Sequence, residues 1–530
     1  MKRFVIAAVG IVLLGAAALL SGTADPDPVV FVSGGQIRGR MLPAPGGAVF
    51  KGIPFVQPPL GDLRWREPMP VKPWQGVLDA VAFGPSCTQN NTGWNSQEAP
   101  GNKEDCLHLN VWAPDWPAKK KRPVMLFIHG GGNTTGASRV DYLDGASLAR
   151  RGVVLVSTNY RLGVFGFFAH PELTRESPHK ASGNYGLMDQ VAALQWIRDN
   201  IAKFGGDPAN VTVFGHSAGS ANIGMLMTSP LAKGLFHRAI QQSGAVFGLG
   251  SARSLAESEE AGRKLAERLK APEEGAIAFL RRIPGEELQK AVFPPNPSSG
   301  VSTRGSGVGP NVDSWVLTRS PAEVFAAGQE HPVPLMIGNA AREMPGGNSP
   351  EALRKSIEDA YVDLAPKALA LYGLAEPGSK GNEDPLYGDA AAQWGADAGF
   401  RCGAVLEAEF HFSARHPAYE YQFDRAIPGR AATQHAAELP YVFGNLLPAG
   451  FVGGPFRPDD RKISDQMQLY WTNFAKTGDP NGSGLPKWSK FNPTVRAYIE
   501  FTDSGPVARE GLRRAFCDLF IESTKRRLKK

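Results

Sequence analysis

Charge is what this 530-residue chain has little of: 20% of its residues are Asp, Glu, Lys or Arg, against 42% hydrophobic. That balance excludes an intrinsically disordered polar chain and predicts a globular one. The formal net charge is only +6, and losing Lys2 and Arg3 with a leader would bring it to +4. A surplus so small and dispersed excludes a nucleic-acid binder. The one compact basic run, Lys525-Arg526-Arg527-Leu528-Lys529-Lys530, reads as a solvated tail. No repeat period recurs, and no long polar linker marks a boundary before about residue 250. Residues 25–530 are therefore expected to form a single domain, although the length could hold two or three. Cysteine is scarce as well: there are four, none near residue 24, which excludes a lipidated N-terminus.

Met1-Lys2-Arg3, an apolar run over residues 4–20 and the small residues 21–24 predict a signal peptide cleaved after Ala24. The apolar run sits at the short edge of spanning length, so an uncleaved anchor is the alternative. After cleavage no stable membrane span is expected, and the protein should be secreted or periplasmic. Export permits disulfides, and four cysteines allow three pairings. Cys87 and Cys106 lie close together and bracket a polar loop containing Trp94, so they are expected to pair, leaving Cys402 with Cys517. In the chain-entropy treatment the short loop contributes about 3 kcal/mol and the long one about 4.7 kcal/mol.

Residues 29–56 alternate short apolar runs with glycine and proline, which predicts an antiparallel edge. From Pro123 onward strands and helices alternate. Residues 124–128 are wholly apolar, as in a strand buried on both faces, and residues 153–157 repeat the pattern. Val191, Leu194, Ile197 and Ile201 fall at helical spacing in 189–204. Residues 252–292 read as a helical insertion beside the sheet, where substrate pockets are often built, and 294–309 as irregular. Further strands are expected at 333–339 and 418–423, and a long amphipathic helix at 463–477. This is an α/β pattern with a large, mostly parallel central sheet flanked by helices.

The organising stretch is Val211-Thr212-Val213-Phe214-Gly215-His216-Ser217-Ala218-Gly219-Ser220. Strand-forming residues run into Gly-x-Ser-x-Gly, and small apolar residues come next: the strand, tight turn and helix of a nucleophile elbow. The turn strains the serine backbone, so glycine is needed two residues to either side. Ser217 then stands at the head of a helix whose N-terminus favours an oxyanion. A serine hydroxyl needs a base. With an elbow, the acid and then the histidine come later in chain order. His237 and His331 come too early for an acid-bearing strand to precede them. His411 and His416 flank a helix-to-strand junction and read as surface or structural. His435, in the loop after strand 418–423, is the candidate base. For the acid, Glu343 closes a short loop after strand 333–338, although it could be a surface residue paired with Arg342; Asp313 is the second candidate. The backbone amides of Gly131, Gly132 and Ala218 are the candidate oxyanion hole, because glycine lets the chain approach a carbonyl closely. His129-Gly130-Gly131-Gly132 is not a phosphate loop, since no Gly-Lys-Ser/Thr comes after it.

Several motifs accompany these: Phe50-Lys51-Gly52-Ile53-Pro54, Glu104-Asp105-Cys106-Leu107-His108-Leu109-Asn110, Asn159-Tyr160-Arg161-Leu162-Gly163, Gly183-Asn184-Tyr185-Gly186-Leu187-Met188-Asp189-Gln190 and Phe204-Gly205-Gly206-Asp207-Pro208. In this order, over nearly the whole mature chain, they resemble the type-B carboxylesterase and cholinesterase-like family of α/β-hydrolases. The resemblance implies a Ser217-Glu343-His435 triad, since Glu438 and Tyr441-Val442-Phe443-Gly444 succeed the histidine as in that family. It also implies the pairs Cys87–Cys106 and Cys402–Cys517, a small-molecule ester substrate and an acyl-enzyme, with no metal or organic cofactor. An amidase or carbamate hydrolase would share the machinery. A non-catalytic binding protein on the same fold would be expected to have lost a triad member, and none is missing. The chain departs from the family at His216, where Glu is usual, at Asn133 in place of an aromatic, and at Met344 in place of glycine. His216 is expected to point away from Ser217, while Asn133 and Met344 bear on substrate preference. Trp94 differs in offset from the choline-binding aromatic of cholinesterases, so ordinary loop packing is expected there.

Overall fold

Strand-forming side chains build the centre of the molecule, and the loop after each strand decides what the sheet presents. The computed structural model describes residues 27–43, 46–248, 250–292, 308–344, 349–426, 432–447 and 455–529. The expected leader, 1–24, and most of the irregular stretch 294–309 lie outside the described residues.

The sheet comprises β1 (Arg40–Met41), β2 (Ala48–Pro54), β3 (His108–Ala113), β4 (Arg122–Ile128), β5 (Val154–Thr158), β6 (Gly206–His216), β7 (Arg238–Gln242), β8 (Leu335–Ala340), β9 (Ala418–Phe423), β10 (Ala497–Thr502) and β11 (Gly505–Glu510). Their order across the sheet is β11-β10-β9-β8-β7-β6-β4-β5-β3-β2-β1. From β10 to β5 the neighbours run parallel. Antiparallel strands complete both edges. The register pairs Ile128 with Gly215, and Gln242 with both His216 and Gly338, so the carboxyl ends of β4, β6, β7 and β8 emerge along one rim.

Both faces of this sheet are covered, which is why its strands read as unbroken apolar runs. Along β4, Val124, Leu126 and Ile128 enter one apolar cluster and Met125 and Phe127 the other. The first face carries α1 (Tyr185–Asn200), α2 (Ala218–Leu226), α3 (Cys402–Ser413) and α5 (Arg514–Leu528); the second carries α4 (Pro458–Thr477). Phe127 packs against Phe214 at 5.0 Å and edge-on to Phe443 at 4.9 Å. Truncating so buried a ring to alanine would cost about 3–5 kcal/mol. Helices α1 and α4 start earlier than the apolar spacing alone indicates, at Tyr185 and at Pro458, a proline that fits the first helical turn.

Two expectations need correction. Residues 29–38 do not belong to the edge of the main sheet. They form a hairpin, Val29–Val32 with Gly35–Arg38, to which Val77–Asp79 adds in parallel as a separate small sheet. Only one face of that hairpin is covered: Val30 and Val32 are buried while Phe31 stays 63% exposed. The basic run near residue 525 is solvated but not a free tail: it occupies the last turns of α5, where Arg526, Arg527 and Lys529 stay exposed. Lys525 pairs with Glu409 and Arg526 with Asp363 and Glu522. The insertion at 252–292 is helical as expected, with Leu255–Arg268 started by a Ser254/Glu257 capping box.

Disulfides join Cys87 to Cys106 and Cys402 to Cys517, the second tying the first turn of α3 to α5 across 115 residues. Non-reducing peptide mapping of protein folded under oxidising conditions should recover these two pairs and no others. Four thiols alkylatable without reductant would contradict this framework.

Candidate active site

Ser217 lies between β6 and α2 with φ +58° and ψ −123°, a backbone conformation that L residues rarely adopt. The flanking glycines explain how it is tolerated. A Cβ on residue 215 would stand 2.7 Å from the Ile128 carbonyl oxygen and 3.0 Å from the carbonyl carbon of Gly219. One on residue 219 would stand 2.2 Å from the Ile128 oxygen and 2.6 Å from that of His129. The collisions are thus chiefly with the end of β4, rather than only between the two flanks of the turn. The Ser217 amide donates to Gln242 O at 2.8 Å, fastening the turn to β7.

Glu343 and His435 come together although 92 residues separate them: His435 Nδ1 lies 2.5 Å from Glu343 Oε2. The backbones are joined as well, His435 N–H donating to Glu343 O at 2.8 Å. Glu343 is no surface residue, being 1% exposed. Its Oε1 accepts from Ser243 Oγ and from the Ala340 amide, each at 2.8 Å. Arg401, fully buried, donates to the carbonyl of Ala341 and so holds the acid's loop from below. The second candidate acid is engaged elsewhere. Asp313 Oδ1 accepts the amides of Trp315, Val316 and Leu317 at 2.8–3.0 Å, closing its own loop, and burial raises its pKa.

The glycine loop leans directly on the elbow: a Cβ on Gly130 would meet Ser217 Cβ at 2.9 Å. Gly131 has φ +107° and no room for a Cβ, which would stand 2.1 Å from the Thr135 carbonyl oxygen, while Gly132 at φ +62° lies in the left-handed region that favours glycine. The Gly131 carbonyl is held by the amides of Thr134 and Thr135, each at 3.0 Å. Ala218 opens α2, where an amide has no carbonyl one turn earlier to bond. Asn133 exchanges amide hydrogen bonds with Asn222 of α2, at 3.1 and 2.9 Å, and accepts from Tyr160 Oη at 3.1 Å. Its side chain therefore clamps the glycine loop to the elbow helix. Met344 stands 51% exposed just beyond the acid.

Two features have little or no sequence signal. His216 does not simply point away: its ring centroid is 4.4 Å from that of His435, on the same edge of the sheet. Its Nε2 lies 3.9 Å from Glu438 Oε1. Burial, and then His435, holds the His216 pKa well below the ordinary histidine value. Burial, reinforced by the Glu343 carboxylate, pushes Glu438 up to about 7. Both effects oppose a second full charge beside the His435–Glu343 pair. Ser243 is the other; the polar tip Gln241-Gln242-Ser243 after an apolar strand is its only signal.

A model of the carboxylesterase family matches residues 26–520. The fumonisin B1 esterase of Sphingopyxis macrogoltabida is 37% identical, over 90% of this chain and 88% of that protein. Liver carboxylesterase 1F of Rattus norvegicus is 33% identical, over 90% of this chain and 91% of its own. A solved PNB esterase structure superposes with a TM-score of 0.80 at 32% identity, covering 93% of this chain and 99% of that one. The chain belongs to the carboxylesterase family and is a carboxylic ester hydrolase on the α/β-hydrolase fold.

Proposed function

We propose that this protein is an exported serine carboxylesterase, a single catalytic domain over residues 25–530, acting on small carboxylic esters through an acyl-enzyme on Ser217. The observation that carries the reading is the contact of buried Glu343 with His435 at the rim where β6 delivers a serine at φ +58°. In the proposed reaction His435 takes the Ser217 proton as Oγ bonds to the ester carbonyl carbon. The resulting oxyanion accepts from the amides of Gly131, Gly132 and Ala218. Glu343 fixes the His435 tautomer and stabilises the imidazolium. His435 then protonates the departing alkoxide, and the alcohol leaves. Water, deprotonated by the same imidazole, attacks the acyl-serine and releases the carboxylic acid. Ser243 and the Ala340 amide hold the glutamate so that one oxygen faces the ring. Export is supported by the two disulfides, and among the described residues no helix is long and apolar enough to cross a membrane.

Ser217→Ala should lower kcat on a p-nitrophenyl ester by on the order of 10⁴-fold or more while circular dichroism stays native. Substantial residual turnover by a natively folded variant would remove Ser217 from the role.

Glu343→Gln should cut kcat by on the order of 10³–10⁴-fold, because an amide cannot stabilise the imidazolium. Asp313→Asn, whose carboxylate closes a separate loop, should change kcat little per folded molecule. The reverse order would make Asp313 the acid.

A further inference from the structure

Away from the reacting rim, at the amino ends of β8 and β9, three potential metal ligands converge. One donor atom each from Glu330, His411 and His416 lies within 4.8 Å of the other two. The side chains of Glu330 and His411 are fully buried. His411, in the last turn of α3, has Nε2 2.9 Å from the Val333 carbonyl and Nδ1 2.9 Å from Glu330 Oε1.

Donors and acceptors do not balance at this spot. A carbonyl can only accept, so His411 Nε2 must carry a proton and donate it to Val333 O. In the neutral ring, Nδ1 then presents a bare lone pair to a carboxylate oxygen, two acceptors face to face. A second proton on His411 would repair that single contact. It would leave Glu330 Oε2 and His416 Nδ1 unaddressed, although both are buried without a hydrogen-bond partner among the described residues. Other buried polar atoms in the chain also lack a protein partner; what distinguishes these two is that they belong to residues of one cluster of potential metal ligands. A cation bound to the carboxylate and to both Nδ1 atoms accounts for all three. The Val333 carbonyl on the far nitrogen of His411 is the outer partner that commonly fixes the tautomer of a ligating histidine.

We propose that Glu330, His411 and His416 form a binding site for a divalent transition-metal cation of the zinc class, distant from the hydrolytic centre. Two imidazoles and one carboxylate suit zinc, with a fourth position left for water. Ligand bonds of about 2.0–2.2 Å set tetrahedral donors roughly 3.3–3.5 Å apart, so His411 Nδ1 and Glu330 Oε1, now 2.9 Å apart, must open slightly around the ion while His416 adjusts to meet it. His416 has that freedom, since it is only partly buried and comes directly after Arg415, a turn residue at φ +67°. Binding would join the segment entering β8 to the end of α3, a structural staple rather than a participant in ester cleavage. Glu407, buried nearby with a pKa pushed to about 8, is occupied by Gln241 and the Val246 amide and supplies no ligand.

The test uses the full-length protein, stripped with chelator and then equilibrated with zinc chloride or cobalt chloride. Zinc-loaded, gel-filtered wild type should carry about one zinc per chain and melt at a higher temperature than the stripped protein. The cobalt form should show the intense visible absorption of a four-coordinate site. His416→Ala and Glu330→Gln should each weaken zinc binding by about tenfold or more. Ester hydrolysis by the stripped wild type should be unchanged, which separates this site from the reacting rim. Wild type that retains no stoichiometric zinc and gives no cobalt spectrum overturns the proposal. So does zinc binding of equal strength in wild type and both variants. If a variant fails to fold, the wild-type metal content and cobalt spectrum decide alone.

Discussion

The close approach of the turn after β6 to the end of β4 constrains everything around it. No side chain fits at 215 or 219, because the carbonyls of Ile128 and His129 occupy the space. That approach forces Ser217 to a positive φ and puts the glycine loop after β4 within contact of it. The loop cannot drift away, since Asn133 is locked to Asn222 and Tyr160. Strain of this kind costs on the order of 1–3 kcal/mol and persists only where surroundings over-determine it. Here the buried halves of β4 and β6 provide that support. The constraint that exposes the serine also assembles the amides proposed to receive its oxyanion.

Around this rim, burial governs the charges. Glu343 is a carboxylate in an apolar setting, and it is supported by Ser243, the Ala340 amide and His435. A buried carboxylate without such partners would be neutralised or expelled. At the nearby Glu438, burial and the Glu343 carboxylate together push the pKa up to about 7. His216, where the family usually carries a glutamate, adds a group whose charging is suppressed. In this chain the His435 ring therefore has one charge-stabilising neighbour in direct contact, together with a histidine and a glutamate whose ionisation is opposed.

The central strands are legible in the sequence because burial on both faces leaves five-residue apolar runs with no alternative reading. The elbow is legible because Gly-x-Ser-x-Gly comes straight after such a run. Glu343 and His435 are legible as partners from chain order and from their positions after β8 and β9, and they do meet. Contacts that bridge long separations are not legible in this way. Ser243 reaches Glu343 across 100 residues and Arg401 reaches Ala341 across 60, and no local pattern announces either. The helical stretch Pro350–Tyr361, Ala365–Leu371 and Ala390–Ala396 escapes as well, because its small core closes only when Leu519 of α5 packs against it. The same helix misleads a reading of the basic run, which is exposed but helical, with Lys525 paired to Glu409 and Arg526 to Asp363 and Glu522. Residues 29–38 mislead because a short hairpin with one covered face has the same alternation wherever it pairs.

If one strained serine, and no other, is chemically activated, an organophosphate should find it in the intact protein. The decisive measurement is to inhibit the enzyme with such a reagent and locate the adduct by peptide mass spectrometry. A single phosphoryl adduct on Ser217, growing in step with loss of esterase activity, is the expected result. Adduct on another serine, or complete inhibition with Ser217 unmodified, would contradict it.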